Sequence, residues 1–281
     1  MTREEIIKPE NLVYKKPTLM NDNPMHYCPG CSHGVVHKLI AEVIEEMGME
    51  DKTVGISPVG CAVFAYNYLD IDWQEAAHGR APAVATAVKR LWPDRLVFTY
   101  QGDGDLACIG TAETIHALNR GENITIIFIN NAIYGMTGGQ YSPLTPTGSK
   151  ATTAPYATIE QDFNVAELVK AAGATFVARG TTFHAQILAD LIAKGIEHKG
   201  FSLIEAVTAC PISYGRQNKM GGPADMMKWQ RDHAVPLAAW DKMNEEQKAG
   251  KFPIGVLYQV EGRQEYTAAY DELIARAQGG K

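Results

Sequence analysis

The chain is 281 residues long, 46% hydrophobic and 21% charged, with 26 Gly, 14 Pro and a formal net charge of −6. This composition fits an ordinary globular core and disfavours nucleic acid as a partner, while leaving small acidic substrates open. The opening residues MTREEIIK lack the apolar core of a signal segment and no run of about 18 apolar residues occurs, so the sequence predicts a cytoplasmic chain with no membrane partner.

Residues 1–26, rich in Asn, Pro and Lys, read as an extended arm. In residues 34–48, Val36, Leu39, Ile40, Val43, Ile44 and Met47 recur at helical spacing. A strand over 53–57, the Cys61 loop and a helix from about 80 to 91 follow. Residues 95–131 read as a βαβ unit: an apolar strand, a crossover helix over 110–120, and a second apolar strand. A long loop, 132–159, leads to a helix (165–172), a strand (175–178), a helix (183–198) and a strand (201–207). Alternating helices and apolar strands predict an α/β fold with a doubly wound, mostly parallel sheet, whose ligands bind at the strand carboxyl ends. Beyond residue 211 the regularity fades. Residues 217–223 read as a loop, 224–235 and 266–277 as helices, and 252–258 as a short strand. The expected division is an α/β domain over 1–211 and an irregular C-terminal extension over 212–281. Met220, Met226, Met227, Trp229, Trp240 and Met243 give that extension apolar surface, either for a partner subunit or for packing on its own core.

Asp103 sits between Gly102 and Gly104 at the end of one apolar run, and the run over 124–129 ends in Asn130 and Asn131. With the crossover helix between them, both strand ends emerge at one edge of the sheet. Asp and Asn oxygens there suit Mg²⁺, which takes one or two protein oxygens together with those of a diphosphate. The three-glycine turn of a dinucleotide fingerprint is missing, as is the Gly-Lys-Ser/Thr of a P-loop. Taken singly, each segment also reads as ordinary turn chemistry after a strand.

There are five cysteines, Cys28, Cys31, Cys61, Cys108 and Cys210, an odd and sparse set unlike a secreted disulfide framework. CPGC at 28–31 reads as a redox dithiol, as half of a zinc site lacking its second pair, or as two ligands of something larger. Cys61 and Cys210 each follow a strand, at the same sheet edge as Asp103 and Asn131. Four thiolates at one edge, two adjacent and two remote, suit a four-iron cubane. Cys108, near the entrance of helix 110–120, reads as a small core residue.

The pairing of GDG with NN, Asn131 following Asp103 by 28 positions, resembles the thiamine diphosphate motif. With CPGCSHG (28–34), SPVGC (57–61), AHGRA (77–81), QGDGD (101–105), NNAIYGMTGGQ (130–140) and CP (210–211), the chain resembles the β subunit of 2-oxoacid:ferredoxin oxidoreductases of the 2-ketoisovalerate/2-oxoglutarate type. That resemblance implies a thiamine diphosphate-binding fold, with Mg²⁺ held by Asp103, the Asn131 side chain and the main-chain carbonyl of Ile133. It implies that Gly102, Gly104, Asp105, His78, Gly79, Arg80, Tyr134 and Gly135 surround the cofactor, and that Cys28, Cys31, Cys61 and Cys210 bind a [4Fe-4S] cluster near the thiazolium. The implied reaction is coenzyme A-dependent oxidative decarboxylation of a 2-oxoacid to acyl-CoA and CO₂, with electrons passing through the cluster to ferredoxin. Thiamine enzymes need a second α/β domain that supplies an activating Glu, and this chain has room for one domain. An α subunit is therefore the expected partner, with ferredoxin-like and γ subunits beside it.

Some of these residues carry a second reading. His78, Gly79 and Arg80 also read as a His-Gly turn with a solvated Arg, and Asp105 as an acid favouring a helix dipole. His33 reads as a satisfied loop histidine or as part of the cluster environment. Residues 134–140 read as a glycine-rich nest closing on phosphate or as a plain surface turn. Thr137-Gly138-Gly139-Gln140 lacks the Lys that some 2-oxoglutarate-using relatives carry as TKGQ, and Ala62, Val63, Phe64 and Ala65 beside Cys61 are apolar. An unpaired distal carboxylate is costly to bury. A branched-chain acid such as 2-ketoisovalerate is thus the expected substrate, with 2-oxoglutarate the alternative if a partner supplies the cation. A reading of another class is a non-catalytic iron-sulfur electron-transfer or metal-binding module, told apart by its lack of thiamine diphosphate affinity.

Overall fold

The computed structural model describes residues 8–161 and 163–279; the first part of the expected N-terminal arm, residues 1–7, lies outside them. Eight strands form one sheet: β1 (Thr53–Pro58), β2 (Asp72–Ala76), β3 (Leu96–Gly102), β4 (Thr125–Asn130), β5 (Phe176–Thr181), β6 (Ser202–Val207), β7 (Ala234–Pro236) and β8 (Phe252–Gln259). Their order is β2-β1-β3-β4-β6-β5-β8-β7. Strands β1 to β6 pair in parallel, and β8 alone runs antiparallel to its neighbour, β5.

The central strands are buried on both faces, as parallel strands between helical layers must be. Side chains alternate between two cores. Phe98, Tyr100, Ile127 and Ile129 face helices α1 (His33–Glu46) and α5 (Ala185–Glu197). Val97, Ile126 and Phe128 face α2 (Ala81–Leu91), α3 (Thr111–Arg120) and α4 (Val165–Ala171). The helical period expected over 34–48 is met: Val36, Leu39, Ile40, Val43 and Ile44 are all buried. Truncating Phe128, fully buried in the second core, to Ala would cost about 3–5 kcal/mol.

Three expectations change. β2 was not foreseen, because it is an exposed edge strand in which only Ala76 is buried, so it lacks the apolar signature of its neighbours. Cys108 is exposed, not a core residue. It sits in a π-helical turn, Asp105–Ile109, which offsets the chain before α3 and turns that position outward. The stretch 252–258 is no isolated strand, since β8 extends the sheet beyond β5, with Ile254 buried. Helix α6 (Pro223–His233) buries Met226 and Gln230 against the same body. The described part of the arm is also tied down. Leu19 is buried, its backbone N–H donates to Glu45, and Met20 bridges Leu69.

Candidate active site and cysteine cluster

The carboxyl ends of β1, β3 and β4 open into one cavity lined by Gly60, Cys61, His78, Gly102, Asp103, Gly104, Asp105, Asn131, Ile133, Tyr134 and Gly135, with His33, Val59, Ala62, Met136 and Thr137 completing its wall. Strand ends as far apart in sequence as Pro58 and Asn130 meet here because β1, β3 and β4 are adjacent and parallel.

Asp103 is 2% exposed, and no salt bridge reaches it among the described residues. Burial pushes its carboxyl up to about 7, although Ser142 Oγ donates to Oδ2 and the backbone N–H groups of Gly104 and Ile133 also point at it. A buried carboxylate with no counter-charge is relieved by a proton or by a cation. The turn that follows β4 reaches the same edge. Ala132 has φ +62, a left-handed conformation uncommon for a residue with a side chain. Its carbonyl is held by Thr145 Oγ1 at 2.6 Å, and Asn131 Oδ1 accepts from the Ile133 N–H at 3.2 Å. This kink sits between Asn131 and Ile133, both of which line the cavity. A Cβ added at Gly102 would meet no atom within 4 Å, so the backbone there leaves an open cradle beside the carboxylate.

Asp105, 3% exposed, acts on the next residue out. One oxygen accepts from His78 Nδ1 and from the Gly79 N–H at 2.6 Å, the other from Gln101 Nε2 at 2.7 Å, and Thr99 Oγ1 donates to Gln101 Oε1 at 2.8 Å. The imidazole is therefore fixed through Nδ1, which leaves Nε2 for the cavity. Arg80 is placed elsewhere: its guanidinium pairs with Glu113 of α3 at 2.6 Å, and neither Arg80 nor Gly79 lines the cavity. Gly79 instead backs the π-helical turn. Within residues 134–140 the chain also bonds to itself. The Tyr134 N–H donates to Gln140 O at 3.0 Å and the Gly139 N–H to Tyr134 O at 2.9 Å, so those amides are taken.

The four cysteines assemble beside this cavity. Burial pushes Cys31 up to about 11 and Cys61 up to about 12, and it raises Cys210; nearby thiols add to each shift. Backbone N–H groups of His33, Met136 and of Ser213 and Tyr214 point at Cys31, Cys61 and Cys210 respectively. A Cβ added at Gly135 would lie 3.5 Å from Cys210 Sγ and 3.6 Å from Cys61 Sγ, so glycine leaves room where the sulfurs approach. Gly30 in the CPGC loop has φ +78 and lies where a Cβ would come within 2.3 Å of Pro223, which fixes the loop against α6. Among the described residues no three His, Cys, Asp or Glu side chains converge closely enough to hold a single ion. Four thiols gathered without converging suit a polynuclear cluster, which spreads them over several metals, better than zinc.

Sequence reasoning missed Ser142 and left His33 between two readings. Ser142, 39 positions from Asp103, had no motif to mark it. His33 opens α1, is 3% exposed and lines the cavity; its Nδ1 meets Tyr100 Oη at 2.7 Å, and burial pushes it down to about 4, so it is neutral.

Residues 58–206 match the thiamine pyrophosphate enzyme, C-terminal TPP binding domain. The chain is 42% identical over 254 residues to the 2-oxoglutarate synthase subunit KorB of Methanocaldococcus jannaschii, covering 90% of this chain and 94% of that one. It is 51% identical to the ketoisovalerate oxidoreductase subunit VorA of Methanothermobacter thermautotrophicus over 157 residues, 55% of this chain and 33% of that one. Its fold is similar to the 2-oxoglutarate:ferredoxin oxidoreductase of Magnetococcus marinus, solved with 2-oxoglutarate, coenzyme A and succinyl-CoA bound, with TM-score 0.83, 29% identity, and 96% and 92% of the two chains covered.

Proposed function

The chain belongs to the thiamine pyrophosphate-binding family as a β subunit of 2-oxoacid:ferredoxin oxidoreductases, and from that premise we propose that it carries thiamine diphosphate, Mg²⁺ and a [4Fe-4S] cluster in coenzyme A-dependent oxidative decarboxylation of a 2-oxoacid. The observation that supports this most is one shared wall: Cys61 lines the same cavity as Asp103 and Asn131.

Asp103, the Asn131 side chain and the Ile133 carbonyl would hold Mg²⁺, which in turn neutralises the carboxylate that burial disfavours. His78, oriented by Asp105, faces the cofactor through Nε2. Gly102, Gly104, Tyr134 and Gly135 form the remaining cradle. Bound thiamine diphosphate would supply an electron sink for the pair released as CO₂ leaves. Cys28, Cys31, Cys61 and Cys210 would bind the cluster as thiolates, with the N–H groups of Met136, Ser213 and Tyr214 offsetting the negative charge on sulfur. No glutamate lines the cavity. The activating Glu therefore comes from an α subunit, with γ and ferredoxin-like subunits and ferredoxin completing the assembly. The free thiols fit a reducing compartment, the cytoplasm.

For the substrate, the names of the KorB relatives favour 2-oxoglutarate. The cavity itself favours an apolar acid: Val59, Ala62 and Met136 line it, its basic side chains among the described residues are His33 and His78, and His33 is neutral. We take 2-oxoglutarate as the substrate, its distal carboxylate met by a cation of the partner, and 2-ketoisovalerate as the second reading. The test is anaerobic co-purification with the partner subunits, followed by iron, sulfide and thiamine diphosphate analysis and coenzyme A-dependent ferredoxin reduction with each acid. About four irons per chain and faster turnover of 2-oxoglutarate are expected. Zinc in place of iron, or no reduction with either acid, would overturn the proposal.

A further inference from the structure

A second cavity of about 370 Å³ opens at the same end of the sheet, on the β6 and β5 side of Asn131. Arg179 of β5 and Glu205 of β6, opposite each other in register, line it. Arg179 Nε donates to Glu205 Oε2 at 2.7 Å, and Asn130 Nδ2 donates to Oε1 at 2.8 Å. Both carboxylate oxygens are thus engaged, whereas Nη1 and Nη2 of Arg179 donate to no side chain or carbonyl among the described residues.

Gln230, 1% exposed, presents the same imbalance. Its Oε1 accepts from the Phe183 N–H at 2.9 Å and from Thr182 Oγ1 at 3.1 Å. A backbone N–H requires the oxygen, so the amide cannot be flipped, and its NH₂ group is left without a partner among the described residues. Lys251 stands at the rim with no carboxylate partner among them. Every uncommitted charged or amide group is therefore a donor. Phe163, Met226, Trp229 and Phe252 give the wall its apolar and aromatic part, and Asn131, Asn164 and Thr208 add further polar groups.

These donors face the cavity without a protein acceptor, so water meets them there and an acceptor-rich ligand can take its place. Two cations against one carboxylate leave a net single positive charge, which a monoanion balances. Concave, largely apolar cavities of this size with a few convergent polar groups are the usual form of small-molecule sites. We propose that this cavity binds an organic carboxylate with a compact apolar or aromatic body, at a site that adjoins the cofactor cavity and shares Asn131 with it. The acid group meets the Arg179 and Gln230 donors, the body lies against Trp229 and Phe252, and Lys251 closes the rim. Arg179, Gln230, Lys251, Trp229 and Phe252, which carry the proposal, all lie outside the cofactor cavity.

The test is titration calorimetry of 3-phenylpropanoate into the chain co-purified with its partner subunits, with 3-phenylpropan-1-ol and phenyl phosphate as comparisons. Saturable binding of the carboxylate is expected, with the alcohol about tenfold weaker or worse. Lys251→Glu and Trp229→Ala should each weaken binding about fivefold or more. Asp105→Asn, whose contacts are with His78, Gly79 and Gln101 and with no residue of this cavity, should leave it unchanged while weakening thiamine diphosphate binding, so the two readings fail separately. Equal affinity for acid and alcohol, preference for the phosphate, unchanged binding in Lys251→Glu, or no binding in the assembled protein would each overturn the proposal.

Discussion

Asp103 concentrates the chemistry of the site in one protonation equilibrium. Burial raises its folded-state pKa from 3.8 to about 7, so between those values the folded apo chain holds a proton that the unfolded chain releases. Stability is therefore lost as pH rises through that window, by on the order of a few kcal/mol in all. Bound Mg²⁺ reverses the preference, because the cation favours the carboxylate. His33, pushed down to about 4, and His37, held well below its usual value by burial, act in the opposite sense as pH falls. They are common to wild type and Asp103→Asn, so the difference between the two melting curves isolates Asp103. That difference should turn against wild type from pH 5 to 7.5 without metal and in its favour with Mg²⁺ and thiamine diphosphate; a flat difference in both conditions would remove Asp103 as the uncompensated charge. Further along the chain, Asp105→Asn sets an NH₂ group against either Gln101 Nε2 or the His78 and Gly79 donors, so it holds His78 Nδ1 less firmly. A loss of about tenfold or more in thiamine diphosphate affinity is expected, with the melting temperature of the apo chain nearly kept. Unchanged affinity would reduce Asp105 to a structural support.

At the scale of elements, the site is an outcome of strand adjacency, and that decides what the sequence could tell. Asp103, Asn131 and the cysteines were legible because each follows an apolar strand, and parallel strands deliver their carboxyl ends to one edge. Ser142 and the inward turn of His33 were not, since their partners are long-range contacts that no local spacing encodes. Arg80 failed for a related reason: its motif position borders the cofactor segment, but Glu113 of α3 takes its charge. The CPGC loop shows how an element fixes a ligand. Gly30→Ala would have to adopt φ +78 and move Pro223, a strain of about 1–3 kcal/mol. Lower iron content after reconstitution is the expected result, whereas full iron loading would mean that the loop tolerates a shift away from α6. β8 was legible as a strand but not as part of the sheet, because antiparallel addition to β5 depends on a chain path through 212–251 that has no periodic signature. Removing residues 252–281 uncovers the β5 edge, and exposed edges invite aggregation. The truncated chain should be recovered mainly as aggregate; a soluble monomer with wild-type thiamine diphosphate affinity would show that β8 is dispensable.

On the proposed reading, the chain presents two cofactor centres at one end and its cofactor cavity wants a group that thiamine chemistry needs. Among the described residues that cavity contains the carboxylates Asp103 and Asp105, but no glutamate. Asp103 would be committed to the metal, and Asp105 is held by His78, Gly79 and Gln101. Neither is free to activate the aminopyrimidine. The chain should therefore bind Mg²⁺ and thiamine diphosphate alone yet decarboxylate neither 2-oxoglutarate nor 2-ketoisovalerate until a partner closes the cavity. The same closure would bring the cation missing from this wall, so affinity for the distal carboxylate and catalytic competence should appear together on titrating in the α subunit. The measurement is CO₂ release from carboxyl-labelled acids against the ratio of the two chains, with a plateau at equimolar subunits. Appreciable release by this chain alone would place the activating group within it and undo the argument from the cavity wall.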